Sequence, residues 1–368
     1  MNTDGETLTG IRVSLGLSQR AMARAVHVSQ TYLCLIETGK RPVPAGLLDR
    51  YQKVVLDMRR RGLITGASAL LAAPAAMHEV LLDGFASALR SRASVTQWQD
   101  KAESYGTRYM QVGAGIVQRE LASDLMTVHA QLESPEMWAV AARLLMIYGK
   151  TTQDPSVAIE WYGRAAECAD RSGDMALRTW TRGRAGLALA YEGAELGTAA
   201  RLAREALALS DRPSMGRLTA QWTEAFLGAA RGQRQTALDY YDGARRTFDE
   251  IRSVDVISEY AMPAWRQATH ASLLLARLGD PRAEEQGRAA DHERPAELQR
   301  YRTHIELHRA LWLARSGDLG EARRAARQAM DRLPKDRGSL SLQLLVREID
   351  ACENLRGDRA LGRVRRHP

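Results

Sequence analysis

Near the N-terminus, Met22, Ala23 and Val26 fall at spacings that place them on one face of a short helix, and Leu33 and Ile36 do the same for a second helix. Ser18 and Ser29 stand where each helix needs an N-cap, Gly39 ends the second, and Pro42 blocks its continuation. His27 occupies the turn between them, at a position that calls for a left-handed backbone, and Ala23 is small where two crossing helices must approach closely. From Met77 onward helical periodicity continues almost to the end and no strand-like alternation appears.

This long helical part is organised by a repeat. Tryptophans fall at positions 98, 138, 180, 222 and 265, and turn glycines follow at Gly149, Gly193, Gly232, Gly279 and Gly317. A period near 40 residues predicts an array of helix-turn-helix units. In HRALWLARSGDLGEARRAARQAMDRLP an apolar helix ends at Ser316-Gly317-Asp318, and the next carries Ala322, Ala325, Ala326 and Ala329 before Pro334. AIEWYGRAAECADRSGD and TAARLAREALALSDRP repeat that second-helix pattern, in which small alanines let paired helices approach while outer apolar stripes join neighbouring units.

Charge separates the two parts. Residues 1–62 carry ten Lys or Arg against five Asp or Glu, a net of +5, whereas the other 306 residues contribute only +3 to the total of +8. A basic excess concentrated in a small domain is the footprint of phosphate binding. Of the 52 basic residues only five are Lys, and Ala is abundant, a composition that fits a high-GC bacterial gene. Cys34, Cys168 and Cys352 are odd in number and form no CxxC pair, which points to a reducing cytoplasm and no structural metal cluster. Arg59-Arg60-Arg61 followed by GLITGASALLAAPAA resembles a twin-arginine export signal locally, but it follows a complete domain and its apolar run is too short to span a bilayer. It reads as an Ala/Gly-rich hinge or short packed helix, with an internal start giving an exported short form as the alternative.

The segment from about Leu8 to Val55 resembles the phage-repressor (Xre/Cro-type) helix-turn-helix family, through Leu17-Ser18-Gln19, Ala23, Val28-Ser29, Ile36-Glu37, Gly39 and Arg41-Pro42. It departs from the family in having His27 where glycine is usual and Leu35 where many relatives carry a polar group. The resemblance implies that the second helix enters the major groove of double-stranded DNA. Gln30 and Thr31 are then the candidates for base contact and Gln19 for a phosphate clamp. Arg20, Ser29, Tyr32, Lys40 and Arg41 complete the implied DNA-binding set, contacts to phosphate fixing register without reading sequence.

From about Glu136 to Leu355 the units resemble tetratricopeptide repeats, with a period longer than usual and only part of the Gly and Tyr signature. This implies an all-α chain: a helix-turn-helix domain over 1–62, a linker over 63–76, and a right-handed α-solenoid over 77–368, the segment up to Leu132 being its N-terminal part or cap. The tryptophans have two readings. They pack each unit together, or Trp138, Trp180, Trp222 and Trp265, with Tyr148 and Tyr191, line a concave ligand surface.

The union of the two domains resembles the peptide-sensing RRNPP regulators and similar single-chain actinobacterial regulators. That resemblance implies a homodimeric, cytoplasmic, ligand-responsive transcription factor that binds an inverted repeat and a peptide or small-molecule signal, with no cofactor, catalytic residue or membrane partner. The alternatives are a regulator whose repeats bind a partner protein and a metal-dependent enzyme tethered to DNA. For the latter, His304 and His308 lie four residues apart on one helical face, but the segment is not HExxH and Glu306 is turned away from the pair. Gly113-Ala-Gly115 lacks the third glycine of a dinucleotide fingerprint and a preceding strand, and no Walker-type loop or nucleophile elbow is present.

Overall fold

The computed structural model describes residues 8, 19–44, 46–47, 50–51, 93–253, 255–334 and 337–352. Among them there are fifteen α-helices and no strand, so the chain is all-α. It divides into two compact units, 1–82 and 83–368, each described here by itself. The twin-arginine-like segment and the expected linker lie outside the described residues, as does Ser18.

In the first unit, α1 (Gln19–Ala25) and α2 (Gln30–Glu37) form the two-helix pair foreseen from the apolar spacing. Met22, Ala23, Val26, Leu33 and Ile36 are all buried, together with Leu8, Leu47 and Tyr51. His27 has φ 58°, the left-handed turn conformation, and Gly39 follows α2 at φ 70°.

The second unit is built of helical hairpins. Its first helices are α3 (Val95–Gln111), α5 (Pro135–Thr151), α7 (Met175–Glu192), α9 (Met215–Ala230), α11 (Ala264–Arg277), α13 (Gln299–Ser316) and α15 (Leu340–Ala351). The alternating partners are α4 (Ala114–His129), α6 (Pro155–Ser172), α8 (Leu196–Leu209), α10 (Arg234–Ile251), α12 (Arg282–Glu293) and α14 (Leu319–Asp331). Ser94, Ser134, Asp154, Asp174, Ser214 and Asp318 cap six of these helices through their side chains, which sets the boundaries locally. Each first helix packs on the next first helix, from α3 and α5 through α13 and α15, so they form one continuous row. Gly183 and Gly216 allow the closest crossing, where α7 meets α9: a Cβ on Gly216 would lie 2.5 Å from the Thr179 carbonyl carbon.

The row curves far enough to close on itself. Arg300 of α13 donates to the Tyr109 carbonyl at the end of α3, and Arg277 of α11 donates to the Ala190 and Tyr191 carbonyls of α7 and pairs with Glu348 of α15. The interior is also filled by a loop. First helices start at intervals of 40, 40, 40, 49, 35 and 41 residues, and the long interval contains the connection between α10 and α11. In that loop the Glu259 amide donates to the Gly106 carbonyl of α3, and the Tyr260 ring lies where a Cβ on Gly106 would be, 2.6 Å from its Cε2. A glycine in mid-helix here makes room for the loop.

Candidate functional site

Local sequence fixes the geometry of the N-terminal pair. Ser29, extended at φ −75° and ψ 150°, accepts from the Tyr32 amide and starts α2. Gln19, the first residue of α1, donates through Nε2 to Glu37 Oε2 at 2.9 Å, and the Tyr51 hydroxyl donates to Glu37 Oε1 at 3.1 Å. The buried carboxylate of Glu37 therefore ties the start of α1 to the end of α2 and to the chain that follows. Ser29→Ala removes the cap, and thermal denaturation of the full-length protein should show this unit destabilised by about 1 kcal/mol, with the repeat unit unchanged.

Of the residues implicated in DNA contact, Ser29, Gln30, Thr31, Lys40 and Arg41 are exposed, while Gln19 and Tyr32 are half-buried. Arg20 lies on α1. Gln30 and Thr31 open α2, so their side chains stand free at its N-terminal turn. The Arg41 guanidinium lies over the Tyr32 ring, 5.3 Å from its centroid, which presents a cation beside that turn. The sequence reading missed the Glu37 anchor and the Arg50 guanidinium, which donates to the Val26 carbonyl at the inter-helix turn.

In the repeat unit the five laddered tryptophans all sit on first helices. Trp222 is fully buried and donates its indole N–H to Gln267 at 2.7 Å, and Trp265 is buried with its ring edge against Tyr301. Trp180 is buried against Tyr260, Trp138 lies under the Arg171 guanidinium, and Tyr148 meets Trp161 edge-on. Tyr191 alone of the six ligand candidates lines a cavity among the first helices.

That cavity lies inside the curved row and encloses about 80 Å³. Counting all the space out to open solvent, its volume is about 640 Å³. Its walls come from α3, α5, α6, α7, α11, α13 and the start of α15 and carry Lys150, Arg184, Glu192, Arg266, Arg300 and His304 among others. Behind the wall stands Glu259, whose side chain is wholly buried. It receives Lys150 Nζ at 2.6 Å and Arg184 Nε at 2.6 Å on Oε1, and Arg266 Nη2 at 2.7 Å on Oε2. Burial pushes the Glu259 carboxyl up, but the charges of Arg184, Arg266 and Lys150 outweigh it and hold the group well below the usual carboxylate range. Burial, then the neighbouring Arg184 guanidinium, push the Lys150 ammonium well down. Glu192 goes the other way: burial raises its carboxyl to about 7, against the pull of Lys150 and Arg184.

One side of the cavity is a chain of neutral hydrogen bonds. Ser272 donates its hydroxyl proton to the Thr269 carbonyl and so accepts from His308 Nδ1 at 2.7 Å. His308 Nε2 is then the acceptor for the Tyr191 hydroxyl at 2.9 Å, and that oxygen lies 3.3 Å from His304 Nδ1. Thus His304 and His308, weighed from sequence as metal ligands, hold a tyrosine between them. Among the described residues no group of three or more His, Cys, Asp or Glu is arranged to hold a metal ion. The three cysteines are free thiols. No helix of the described residues is long and apolar enough to cross a membrane.

Comparison with known proteins bears on the first unit. No curated protein and no solved structure matches the chain. Residues 5–54 match the family model described as a helix-turn-helix domain, which marks the chain as carrying an N-terminal domain of the kind used by DNA-binding regulators.

Proposed function

We propose that the protein is a sequence-specific transcriptional regulator that acts as a homodimer, residues 1–62 reading DNA and residues 77–368 sensing a peptide or small-molecule signal and forming the dimer. The carrying observation is the first turn of α2, where Gln30 and Thr31 stand exposed on a capped pair of helices with its own apolar core. An amide at Gln30 can donate and accept together against adenine N6 and N7 in the major groove. Arg20, Ser29, Lys40 and the Tyr32-stacked Arg41 then lie on phosphates, with Gln19 clamped through Glu37 beside them. The tetratricopeptide-like hairpins supply a curved sensor, and the cavity beside Tyr191 is where its signal docks. A signal changes DNA affinity by binding two arrangements of the repeat unit unequally, since half-sites one helical turn apart make the spacing of the paired readers decisive.

The test is selection of genomic fragments by the full-length protein at physiological salt. One enriched inverted repeat supports the reading, and enrichment of single half-sites by a monomer removes the dimer from it. On the selected site, Gln30→Ala should lose roughly 1 to 3 kcal/mol, confined to one base position per half-site. Arg41→Ala should weaken all sequences alike and lower the salt slope by about one. Equal loss on specific and random DNA for Gln30→Ala would make that residue a positioning group.

A further inference from the structure

The cavity is built for negative charge. Lys150, Arg184, Arg266 and Arg300 bring four basic side chains to one cavity, whereas the carboxylates beside them are Glu192 in the wall and Glu259 behind it. Glu259 is already shared among Lys150, Arg184 and Arg266. Glu192, with a carboxyl raised to about 7, supplies less than a full charge at neutral pH. Arg300 is left over. It is 7 % exposed, its Nη2 donates to the Tyr109 carbonyl, and its guanidinium lies against the Tyr109 and Tyr301 rings at 4.9 and 5.6 Å from their centroids. Among the described residues no carboxylate lies within 4 Å of it. Buried guanidinium groups are ordinarily paired, because an isolated buried charge is expensive. A guanidinium held against two aromatic rings in the wall of a cavity keeps a fork of N–H donors that can grip a phosphoryl or carboxylate group bidentately.

Size and charge narrow the ligand. The innermost space of about 80 Å³ is well above the roughly 10 to 15 Å³ that a single water needs, and it opens toward solvent. A tetrahedral phosphoryl group fits within it, and a folded peptide does not. Arg184, Arg266 and Arg300 stand against the one strongly acidic carboxylate, Glu259, which favours an anion, and a phosphoryl group offers the Arg300 donors more acceptor oxygens than a carboxylate does. The half-buried Ser339 and Ser341 at the start of α15 add hydroxyl groups to the same lining.

We propose that this cavity is the receptor site for a small molecule bearing a phosphate monoester, with Arg300 as its principal anion contact, Lys150 and Arg184 beside it, and Glu259 as the residue that positions those two. The proposal rests on the sensor reading of the repeat unit and names the chemistry of its signal. It makes Arg300 the specificity-determining residue and leaves the remainder of the ligand to the wider space toward solvent.

The experiment titrates the full-length, DNA-free protein with inorganic phosphate, and separately with acetate, at constant ionic strength in chloride, following heat of binding and melting temperature. Saturable phosphate binding is expected, with acetate much weaker, and Arg300→Gln should weaken the phosphate affinity by about 10- to 100-fold. Because Arg300 is buried, Ser341→Phe, at a half-buried position on the lining, provides a second variant that blocks the cavity without removing a charge; it too should lose binding while keeping the wild-type helical circular dichroism. An absence of saturable binding, acetate equal to phosphate, or unchanged affinity in both folded variants would overturn the assignment. No DNA is present, so that failure leaves the regulator reading standing, and failure of the genomic selection with phosphate binding intact removes the regulator and keeps the receptor.

Discussion

Glu259→Gln should destabilise the repeat unit by about 3 to 5 kcal/mol, the size expected when one partner of a buried ion pair is removed and the other charge stays behind. Here three charges stay behind. Lys150, Arg184 and Arg266 come from α5, α7 and α11 and converge on one carboxylate whose side chain has no exposed surface. Glutamine keeps the volume and offers one acceptor oxygen, so the loss isolates charge from packing. Arg266 also donates to the Ser258, Glu259 and Ala261 carbonyls, which makes the loop and the cation cluster one structure. Replacing Arg184 by Met in the same chain should recover part of the loss, since one uncompensated charge is removed with its partner. Urea unfolding of the full-length single and double variants reads both quantities, and strict additivity would mean that Glu259 acts through the loop backbone and not through the cations.

Nothing near Glu259 in the sequence announces this role. It is one of two acids in SVDVISEYAMPAW, and its partners lie 109 and 75 residues before it and seven after. The cavity lining likewise runs from Tyr109 to Ser341. Such a site is assembled by the curvature of the whole array, and no local spacing carries it. The repeat itself was legible because every unit needs the same close helix approach, which keeps alanines in phase and puts Gly193, Gly232, Gly279 and Gly317 in left-handed turns; Gly149, read as a fifth turn glycine, lies inside α5 instead, where it makes room for the Tyr162 ring. Yet the regular tryptophan ladder concealed the inserted loop. Trp222 is the eighth residue of α9 and Trp265 the second of α11, so an early tryptophan compensates for a late helix start and the gap still looks regular.

In the N-terminal unit more could be read, because capping, turn conformation and apolar spacing are short-range. His27, Ser29 and Gly39 each adopt the conformation their positions call for. What could not be read is the use of Glu37, which joins Gln19 across 18 residues and Tyr51 across 14 and belongs to the tertiary fold of this small unit. An acid at the end of a helix looks in sequence like a solvated one.

Stability of the repeat unit should fall as pH drops below about 6.5, and three histidines set the slope. Burial, then Arg300 and Lys150, lower His304 to about 3. Burial, then Arg266 and Arg184, hold His270 well below the ordinary imidazole range, and burial, then His304, Arg277 and His270, do the same for His308. Their hydrogen bonds agree with neutral rings: His270 Nδ1 donates to the Arg266 carbonyl, and His308 needs one bare nitrogen to accept from Tyr191. In the unfolded chain each ring takes up a proton near pH 6.5, while in the folded chain it does not, so the unfolded state binds more protons as pH falls and stability is lost through that window. For His304 this amounts to a loss of about 2 kcal/mol between pH 8 and pH 5, and His270 and His308 add losses of the same sign. Glu192 opposes it, because a carboxyl raised to about 7 binds its proton first in the folded state and stabilises it as pH falls from there toward 4.5. That opposing gain is comparable to the loss from one histidine, so three lowered rings against one raised carboxyl leave a net loss of stability as pH falls. Urea unfolding at pH 8, 6.5, 5.5 and 5 measures it. His308→Gln should make the decline shallower by close to one proton and Glu192→Gln should make it steeper. A flat profile in the wild-type protein would mean that these rings meet protons in the folded state, and that the hydrogen-bonded chain through Tyr191 is not closed to solvent.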